Sequence, residues 1–292
     1  MTGARGGDLE WLWRLGRVAV LTLAGFVLVF NFGVLVVVFL SSLSDTPFLV
    51  FPPRGLTLDW YSDLSRYKEA ITYSLQVALV AATLASTLGT LASLAIIRSN
   101  LRFKSAILTF LLSPLIIPST IFGLAVLVAL TQLGWRPGFW PLTIALTVHT
   151  APFCVRIICS GLQNIDWQLE AAARALGASR RRAFTRVILP LAAPSIAAGW
   201  GITFILAFDD SSISIFLARP IRQTYGSQLI ADLDDRLTPG LAAAGSAVIA
   251  ITLVSVALLG LIYWLQKRFV GAGIAGPIDG ASLLDEGRSE AE

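Results

Sequence analysis

Six apolar runs of about twenty residues or more dominate this sequence and restrict what it can fold into. As helices, which rise about 1.5 Å per residue, runs of this length cross the ~30 Å hydrocarbon core of a bilayer. Only 14% of the residues are charged, whereas soluble domains carry about 25%. The sequence therefore predicts an all-α integral membrane protein with six transmembrane helices, at about residues 18–40, 71–97, 105–131, 139–159, 194–218 and 241–265.

The first apolar run has the length of a retained span rather than of a cleavable signal peptide. Basic residues precede it in a tail over residues 1–17, and the run itself extends from Val18 to Leu40. The apolar part of a signal peptide has only about 7–15 residues. We therefore expect an uncleaved first helix and one transmembrane domain over residues 18–265.

Basic residues concentrate in alternate links between the runs, and this asymmetry predicts an orientation. The N-terminal tail, the links 98–104 and 160–190 and the C-terminal tail hold, with Arg156, 15 of the 22 Lys and Arg residues. By the positive-inside rule these segments and both termini face the cytoplasm, where they contact membrane lipid rather than nucleic acid. Residues 266–292 are predicted to be a disordered cytoplasmic tail.

Several kinds of chemistry have no candidate residues here. The two cysteines, Cys154 and Cys159, would point about 140° apart on a helix, so they are expected to be buried and unpaired. The sequence contains neither a G-x-x-x-x-G-K-[ST] stretch nor a nucleophile–base constellation. We therefore predict a chain that is not an enzyme and holds no metal or cofactor. The single histidine, His149, is either a proton relay or, as we favour, a hydrogen-bonding partner of a neighbouring helix.

Prolines interrupt two of the runs. Pro114 and Pro118 fall in the third run and predict a helix that is kinked or locally opened. Pro190 and Pro194 stand at the start of the fifth run, where we expect them to separate it from a preceding short helix.

The link before the fifth run contains a basic, helix-prone stretch, LEAAARALGASRRRAFTRVILP. Asp166 is positioned to cap a first helix, Gly177 permits a left-handed turn, and Ser179 is positioned to cap a second helix. On this second helix Phe184 and Ile188 form an apolar face, and Arg182 and Arg186 form a basic face. Two interpretations follow: docking into a groove on another protein, or a charged link that touches lipid and sets topology.

This stretch resembles the coupling loop of ABC importer permeases, with the motif EAA, three residues, Gly, nine residues, then I-x-L-P. Ala171 stands where the family has glutamate, Val187 replaces isoleucine, and Glu170 lies one residue early. The resemblance implies that residues 166–190, the coupling loop, insert into an ATP-hydrolysing subunit. The motif positions, the displaced glutamate and the two faces of the second helix together give the candidate coupling residues Glu170, Ala172, Ala173, Gly177, Arg182, Phe184, Arg186, Leu189 and Pro190.

The resemblance extends over about residues 51–265. Over this range the chain is similar to the spermidine/putrescine branch of these permeases. The similarity rests on the segments FPPRGLTLDWY, SPLIIPSTIFG, HTAPFCVR and GWGITFILAFDDSSIS. It implies the type I ABC importer permease fold in a bacterial cytoplasmic (inner) membrane. It also implies two ATPase subunits that bind ATP and Mg, a second homologous permease subunit and an extracytoplasmic solute-binding protein.

Two adjacent acids, Asp209 and Asp210, lie in the fifth run and are candidates for the substrate path. A carboxylate in lipid costs at least about 2.5 kcal/mol, so both are expected to face a cavity or a partner. They either line a path for a cation or form a hydrogen-bonded structural pair. A cationic polyamine is the first cargo hypothesis. The alternatives are the same fold with ferric iron, a phosphonate or an opine, an ion-coupled secondary carrier, or a membrane scaffold that transports nothing.

Overall fold

The computed structural model describes residues 7–48, 51–99, 102–235 and 238–274, and its regular structure is helical. Within those residues no β-strand occurs, which confirms the all-α prediction. Two 3-10 helices span Asp59–Tyr67 and Ser113–Ile116, and a π-helical turn spans Phe184–Ile188. The α-helices are α1 Gly7–Ser41, α2 Lys68–Arg98, α3 Lys104–Leu112, α4 Ser119–Gln132, α5 Phe139–Gln163, α6 Gln168–Ala175, α7 Arg180–Ala183, α8 Leu189–Asp209, α9 Ser214–Leu217, α10 Tyr225–Asp235 and α11 Pro239–Ile274.

Five helices in the described part of the chain are long and apolar enough to cross a membrane. A sixth candidate is the pair Lys104–Ile116 and Ser119–Gln132, if the two count as one span; they meet at a 95° bend. The bend lies between Pro114 and Pro118, as the sequence predicts, because Ile117 and Pro118 are extended and Pro118 offers no N–H. The five helices are Trp13–Ser41, Asp59–Arg98, Phe139–Gln163, Arg180–Asp209 and Pro239–Leu261.

The fifth run differs from its prediction at both ends. Pro190 and Pro194 do not separate two helices: Pro190 lies in the first turn of α8 and Pro194 inside it, so the chain is helical from Arg180 onward. The π-helical turn explains why Pro190 is tolerated. Leu189 N–H bonds the carbonyl of Phe184, five residues back, and this wide turn accommodates the proline ring. The helix then ends at Asp209 instead of residue 218.

The two predicted tails are more helical than expected. Helix α1 begins at Gly7, inside the predicted N-terminal tail, and α11 continues to Ile274, inside the predicted C-terminal tail. Helix propagation from a long apolar run explains this, since each added residue gains a hydrogen bond without a new nucleation step. Residues 1–6 and 275–292 lie outside the described residues.

The chain divides into two compact units, Met1–Lys68 with Gln228–Ala250, and Glu69–Ser227 with Ile251–Glu292. In the first unit, hydroxyl groups tie the 3-10 helix Asp59–Tyr67 to its neighbours. Tyr61 Oη lies 2.8 Å from Ser42 Oγ and 3.0 Å from Ser246 Oγ. The Trp60 indole donates to the carbonyl of Ser44 at 2.7 Å, and Tyr67 donates to the Asp232 carboxylate at 2.5 Å.

In the second unit, α5 and α8 pack closely along their lengths. Their contact contains Cys154, Ile158 and Leu162 of α5 with Ala192 of α8, all buried. Both cysteines are free and buried, as predicted. The helices approach at Gly161, where a Cβ atom would lie 2.3 Å from Cβ and Oγ of Ser195.

Replacing Gly161 by alanine is expected to lower the thermal stability of the protein in detergent. The added methyl overlaps Ser195, and overpacking of this kind costs about 1–3 kcal/mol. Gly25→Ala in α1 is the matched control, since a Cβ there meets nothing within 4 Å. Equal melting temperatures for the two variants would mean that α5 and α8 do not pack this closely.

Candidate functional site

The coupling loop folds as two helical arms joined by a tight turn. Asp166 Oδ1 accepts the N–H of Gln168 at 2.9 Å, so the predicted cap is present and the first arm, α6, begins at Gln168. Gly177 has φ of +88°, the left-handed conformation that the sequence predicts for it. Ser179 Oγ accepts the N–H of Arg182 at 3.3 Å and caps the second arm.

The apolar face of the second arm points into the chain itself. Ile188 and Ala183 are fully buried and Phe184 is half-buried, whereas Arg182 and Arg186 are exposed. Ile188 is therefore packed within this chain, and a contact of Phe184 with a partner stays a prediction. The second arm continues directly into α8, and its residues Ala183 and Ile188 are buried within the chain.

The exposed surface of the coupling loop includes residues of both arms and of the turn between them. Leu176, next to Gly177, is 89% exposed and is the most exposed large apolar residue of the loop. Of the other residues assigned by resemblance, Ala173 is half-buried and four more are exposed: Ala172, Gly177, Leu189 and Pro190. This surface is available to a partner.

Glu170 has a partner within the same chain. Its side chain is buried, the whole residue being 8% exposed, and its carboxylate forms an ion pair with Arg98, the last residue of α2. The Arg98 guanidinium carbon also lies 5.1 Å from the ring centroid of Trp167 and 5.5 Å from that of Phe184. We call Arg98, Glu170, Trp167 and Phe184 the arginine clamp. It joins the end of α2 to both arms of the coupling loop.

Sequence reasoning missed Arg98 because its partner is 72 positions away. The available signal was local: Arg98 is the first charged residue after the apolar run 71–97, and Glu170 lies one position before the place of the motif glutamate. The expectation that Glu170 contacts the ATPase conflicts with its burial against Arg98. A one-residue shift on a helix turns a side chain by about 100°, which moves Glu170 from the outer to the inner face.

The two aspartates have different surroundings. Asp210 leaves the helix, with ψ of 118°, and accepts the N–H groups of Ile213 and Ser214 at 2.9 and 3.1 Å. It therefore caps α9, which fits the hydrogen-bonded structural alternative. Asp209, the last residue of α8, has an exposed side chain and remains the candidate for a cation path.

His149 does not make the hydrogen bond that we favoured from the sequence. Its Nδ1 atom is buried without a hydrogen-bond partner, and its ring packs on Phe122 of α4, with centroids 5.2 Å apart. Packing on an aromatic ring thus replaces polar contact with a neighbouring helix. The described residues contain no group of three or more His, Cys, Asp or Glu that could hold a metal ion.

These features define an integral membrane permease of the ABC importer class. The chain matches the family described as binding-protein-dependent transport system inner membrane component over residues 85–271, which include the coupling loop. The chain belongs to this family, and it is accordingly a multi-pass protein of the inner membrane.

Two curated relatives are permeases of polyamine transport systems. The spermidine/putrescine transport system permease protein PotC of Escherichia coli K12 is 31% identical over 206 residues, 70% of this chain and 78% of that protein. The putrescine transport system permease protein PotI of the same strain is 30% identical over 264 residues, 86% of this chain and 89% of that protein. The resemblance to this branch is therefore confirmed.

Solved structures of ABC importers share the fold. A bacterial transporter that imports the acidic polysaccharide alginate has a TM-score of 0.65 at 17% identity, covering 90% of this chain and 98% of that one. The MetNI methionine transporter has a TM-score of 0.53 at 21% identity, covering 74% and 99%. This likeness confirms the predicted permease fold and carries no information on cargo.

The left-handed turn in the coupling loop yields a testable prediction. Gly177→Val is expected to distort the loop and reduce co-purification of an ATPase subunit, because a β-branched residue at φ of +88° adds about 1–2 kcal/mol of strain. Gly177→Asn is the control, since asparagine tolerates this conformation. Equal recovery of the ATPase with both variants would show that the turn does not constrain the partner surface.

Proposed function

We propose that this chain is the membrane-spanning permease subunit of an ATP-driven importer whose cargo is a cationic polyamine such as spermidine or putrescine. The observation that carries this proposal is the similarity to PotC and PotI, which extends over 70% and 86% of the chain. The helices long enough to span a membrane, the coupling loop and the family match agree with a transport subunit.

The exposed carboxylate of Asp209 supports a cationic cargo. It terminates α8 in a chain with few charges inside its apolar helices, and an intramembrane acid usually marks an ion or substrate pathway. An anionic phosphonate would instead be expected to meet arginine side chains or helix N-termini. Ferric iron and an opine remain the alternative cargoes to compare directly.

The coupling loop supplies the connection to ATP hydrolysis in this proposal. Two ATPase subunits bind ATP and Mg and contact the exposed first arm and turn on the cytoplasmic side. A second homologous permease completes the path, and an extracytoplasmic solute-binding protein delivers the cargo. One of the related structures holds its transporter in complex with a ligand-bound periplasmic protein. Both chain termini are then cytoplasmic.

Uptake into proteoliposomes tests the proposal. The chain is reconstituted with its co-purifying subunits, and import of radiolabelled putrescine and spermidine is measured with ferric iron, a phosphonate and an opine as unlabelled competitors. We expect ATP-dependent amine import that only amines inhibit. An ATPase subunit with its catalytic site inactivated is the control. Competition by another cargo class reassigns the substrate, and import abolished by an uncoupler but insensitive to ATP depletion indicates a secondary carrier.

A further inference from the structure

The exposed surface of α2 carries a polar sector and an apolar sector. Successive residues on a helix turn by about 100°, so four exposed polar residues fall within about 60° of one another. Three exposed leucines lie about 100° further round the same helix. The polar residues are Thr72, Gln76, Thr83 and Thr87, and the leucines are Leu84, Leu88 and Leu91. A further exposed leucine, Leu79, lies at the edge of the polar sector, about 20° from Thr72.

The two sectors call for different surroundings. Leucines suit lipid, whereas polar groups facing hydrocarbon lose hydrogen bonds to water, so a polar sector on a membrane helix is expected to face water or protein. Thr83 and Leu84 are adjacent in sequence and at the same depth, as are Thr87 and Leu88. Position along the membrane therefore does not explain the difference between the sectors.

The threonine hydroxyls of the polar sector present acceptors. Thr83 Oγ1 donates its proton to the carbonyl of Leu79, and Thr87 Oγ1 donates to that of Thr83, both at 2.7 Å. With their single protons engaged, these oxygens offer only lone pairs outward. The indole N–H of Trp200 on α8 donates to Thr83 Oγ1 at 3.2 Å, which shows that this oxygen does accept a hydrogen bond.

Two stacked aromatic rings lie on the helix whose Trp200 contacts the Thr83 oxygen. The ring of Trp200 stacks on that of Phe204, with centroids 5.4 Å apart and planes 6° from parallel, and both residues are half-buried. A tryptophan face attracts a cation within about 6 Å of its centroid. Hydroxyl oxygens that only accept and an adjacent electron-rich ring are together the groups that recognise a protonated amine, which has donors and a positive charge but no acceptor.

We propose that Thr83, Thr87 and Trp200 form a cargo subsite on the translocation path, where an ammonium group of a linear amine is held by hydroxyl oxygens and an aromatic face. The proposal rests on the proposed function, whose cargo class it uses. Two hydroxyls one helical turn apart, about 6 Å along the axis, give an elongated cargo successive acceptors. Packing of the same sector against the second permease subunit is the competing outcome of the test.

Cysteine accessibility in the reconstituted complete transporter tests this subsite. Thr83→Cys and Thr87→Cys are compared with Leu84→Cys and Leu88→Cys, which are matched for depth but lie in the leucine sector. The probe is a membrane-impermeant thiol reagent that carries a quaternary ammonium group. The wild-type chain, whose Cys154 and Cys159 are buried, gives the background. Putrescine and spermidine, delivered by the loaded binding protein, are the protecting cargoes.

We expect the thiols of Thr83→Cys and Thr87→Cys to react at least about tenfold faster than those of Leu84→Cys and Leu88→Cys, because the thiolate that reacts forms in water and not in lipid. We also expect amine cargo to slow the first two reactions. Labelling at 83 and 87 as slow as at 84 and 88 overturns the subsite in favour of a protein or lipid contact. Fast labelling that cargo does not slow, in a wild type that imports amines, overturns amine binding.

Amine uptake by the same wild-type proteoliposomes separates the two proposals. Import without protection rejects the subsite and leaves the proposed function intact. Absence of any amine import rejects the proposed function, and the amine assignment of the subsite is rejected with it. A separate variant, Trp200→Phe combined with Thr87→Cys, removes the indole N–H and keeps an aromatic ring; weaker protection by amine cargo than in Thr87→Cys alone is the supporting result, and equal protection excludes the indole N–H from the subsite.

Discussion

Replacing Arg98 by methionine is expected to reduce ATP-driven cargo uptake by about tenfold or more. The variant leaves the Glu170 carboxylate buried without its partner. Removing one member of a buried ion pair costs about 3–5 kcal/mol. Because the Arg98 side chain is 30% exposed, solvent screening reduces this to about 1–3 kcal/mol. A loss of about 1.4 kcal/mol already corresponds to a tenfold change in an equilibrium.

The arginine clamp explains why this loss is expected in coupling rather than only in stability. The guanidinium contacts Glu170 and Trp167 at the first arm of the coupling loop and Phe184 at the second. Displacement of the loop by an ATPase can therefore be passed to the end of α2, the helix that carries the proposed cargo subsite. Without the clamp the loop is expected to move independently of α2.

A double-mutant cycle isolates the clamp. Replacing a buried ion pair with apolar residues of similar volume is often neutral, so Arg98→Met with Glu170→Met is expected to recover much of the packing that Arg98→Met alone loses. Arg102→Met is the control, an exposed basic residue that follows the same helix. The measurements are uptake per ATP hydrolysed and hydrogen-exchange protection of residues 166–190.

The outcomes separate a coupling role from a structural one. If the double variant regains exchange protection but its uptake per ATP stays low, the charged pair transmits the movement of the coupling loop. Recovery of both quantities assigns the pair to packing alone. Unchanged uptake in Arg98→Met contradicts the prediction altogether.

Local signals in the sequence predicted the parts of the fold that depend on neighbouring residues. The length of the apolar runs predicted the helices, Pro114 and Pro118 predicted the break between α3 and α4, and Gly177 and Ser179 predicted the turn and cap of the coupling loop. Each of these depends on backbone chemistry within a few positions. That is why a single sequence suffices for them.

Features that depend on tertiary contacts were not predictable in this way. Pro190 is expected from the sequence to break the helix, but a π-helical turn accommodates it. From the sequence, the apolar face of the second arm is a candidate docking surface, but Ile188 on this face is fully buried. Asp209 and Asp210 look equivalent in sequence, yet the helix ends between them and only Asp210 becomes a cap.

The partner surface of the coupling loop can be tested at its most exposed apolar residue. Leu176→Asp is expected to reduce recovery of the ATPase subunit by at least about tenfold, because apolar anchors in desolvated pockets dominate interface energies and a buried carboxylate without a partner is strongly unfavourable. Leu176 is 89% exposed in this chain, so the substitution is expected to leave folding unchanged.

Ile221→Asp is the matched control for that experiment. Ile221 is 93% exposed and lies in the link between α9 and α10, outside the coupling loop. Pull-down in mild detergent, with melting temperature measured on the same preparations, compares the two variants with wild type. Loss of the ATPase with Leu176→Asp alone, at an unchanged melting temperature, places the contact at the turn. Equal recovery from all three proteins would exclude the turn as an anchor. The next candidates would be Leu169 in the first arm and the exposed arginines of the second arm. At the arginines, charge rather than apolar burial would hold the partner.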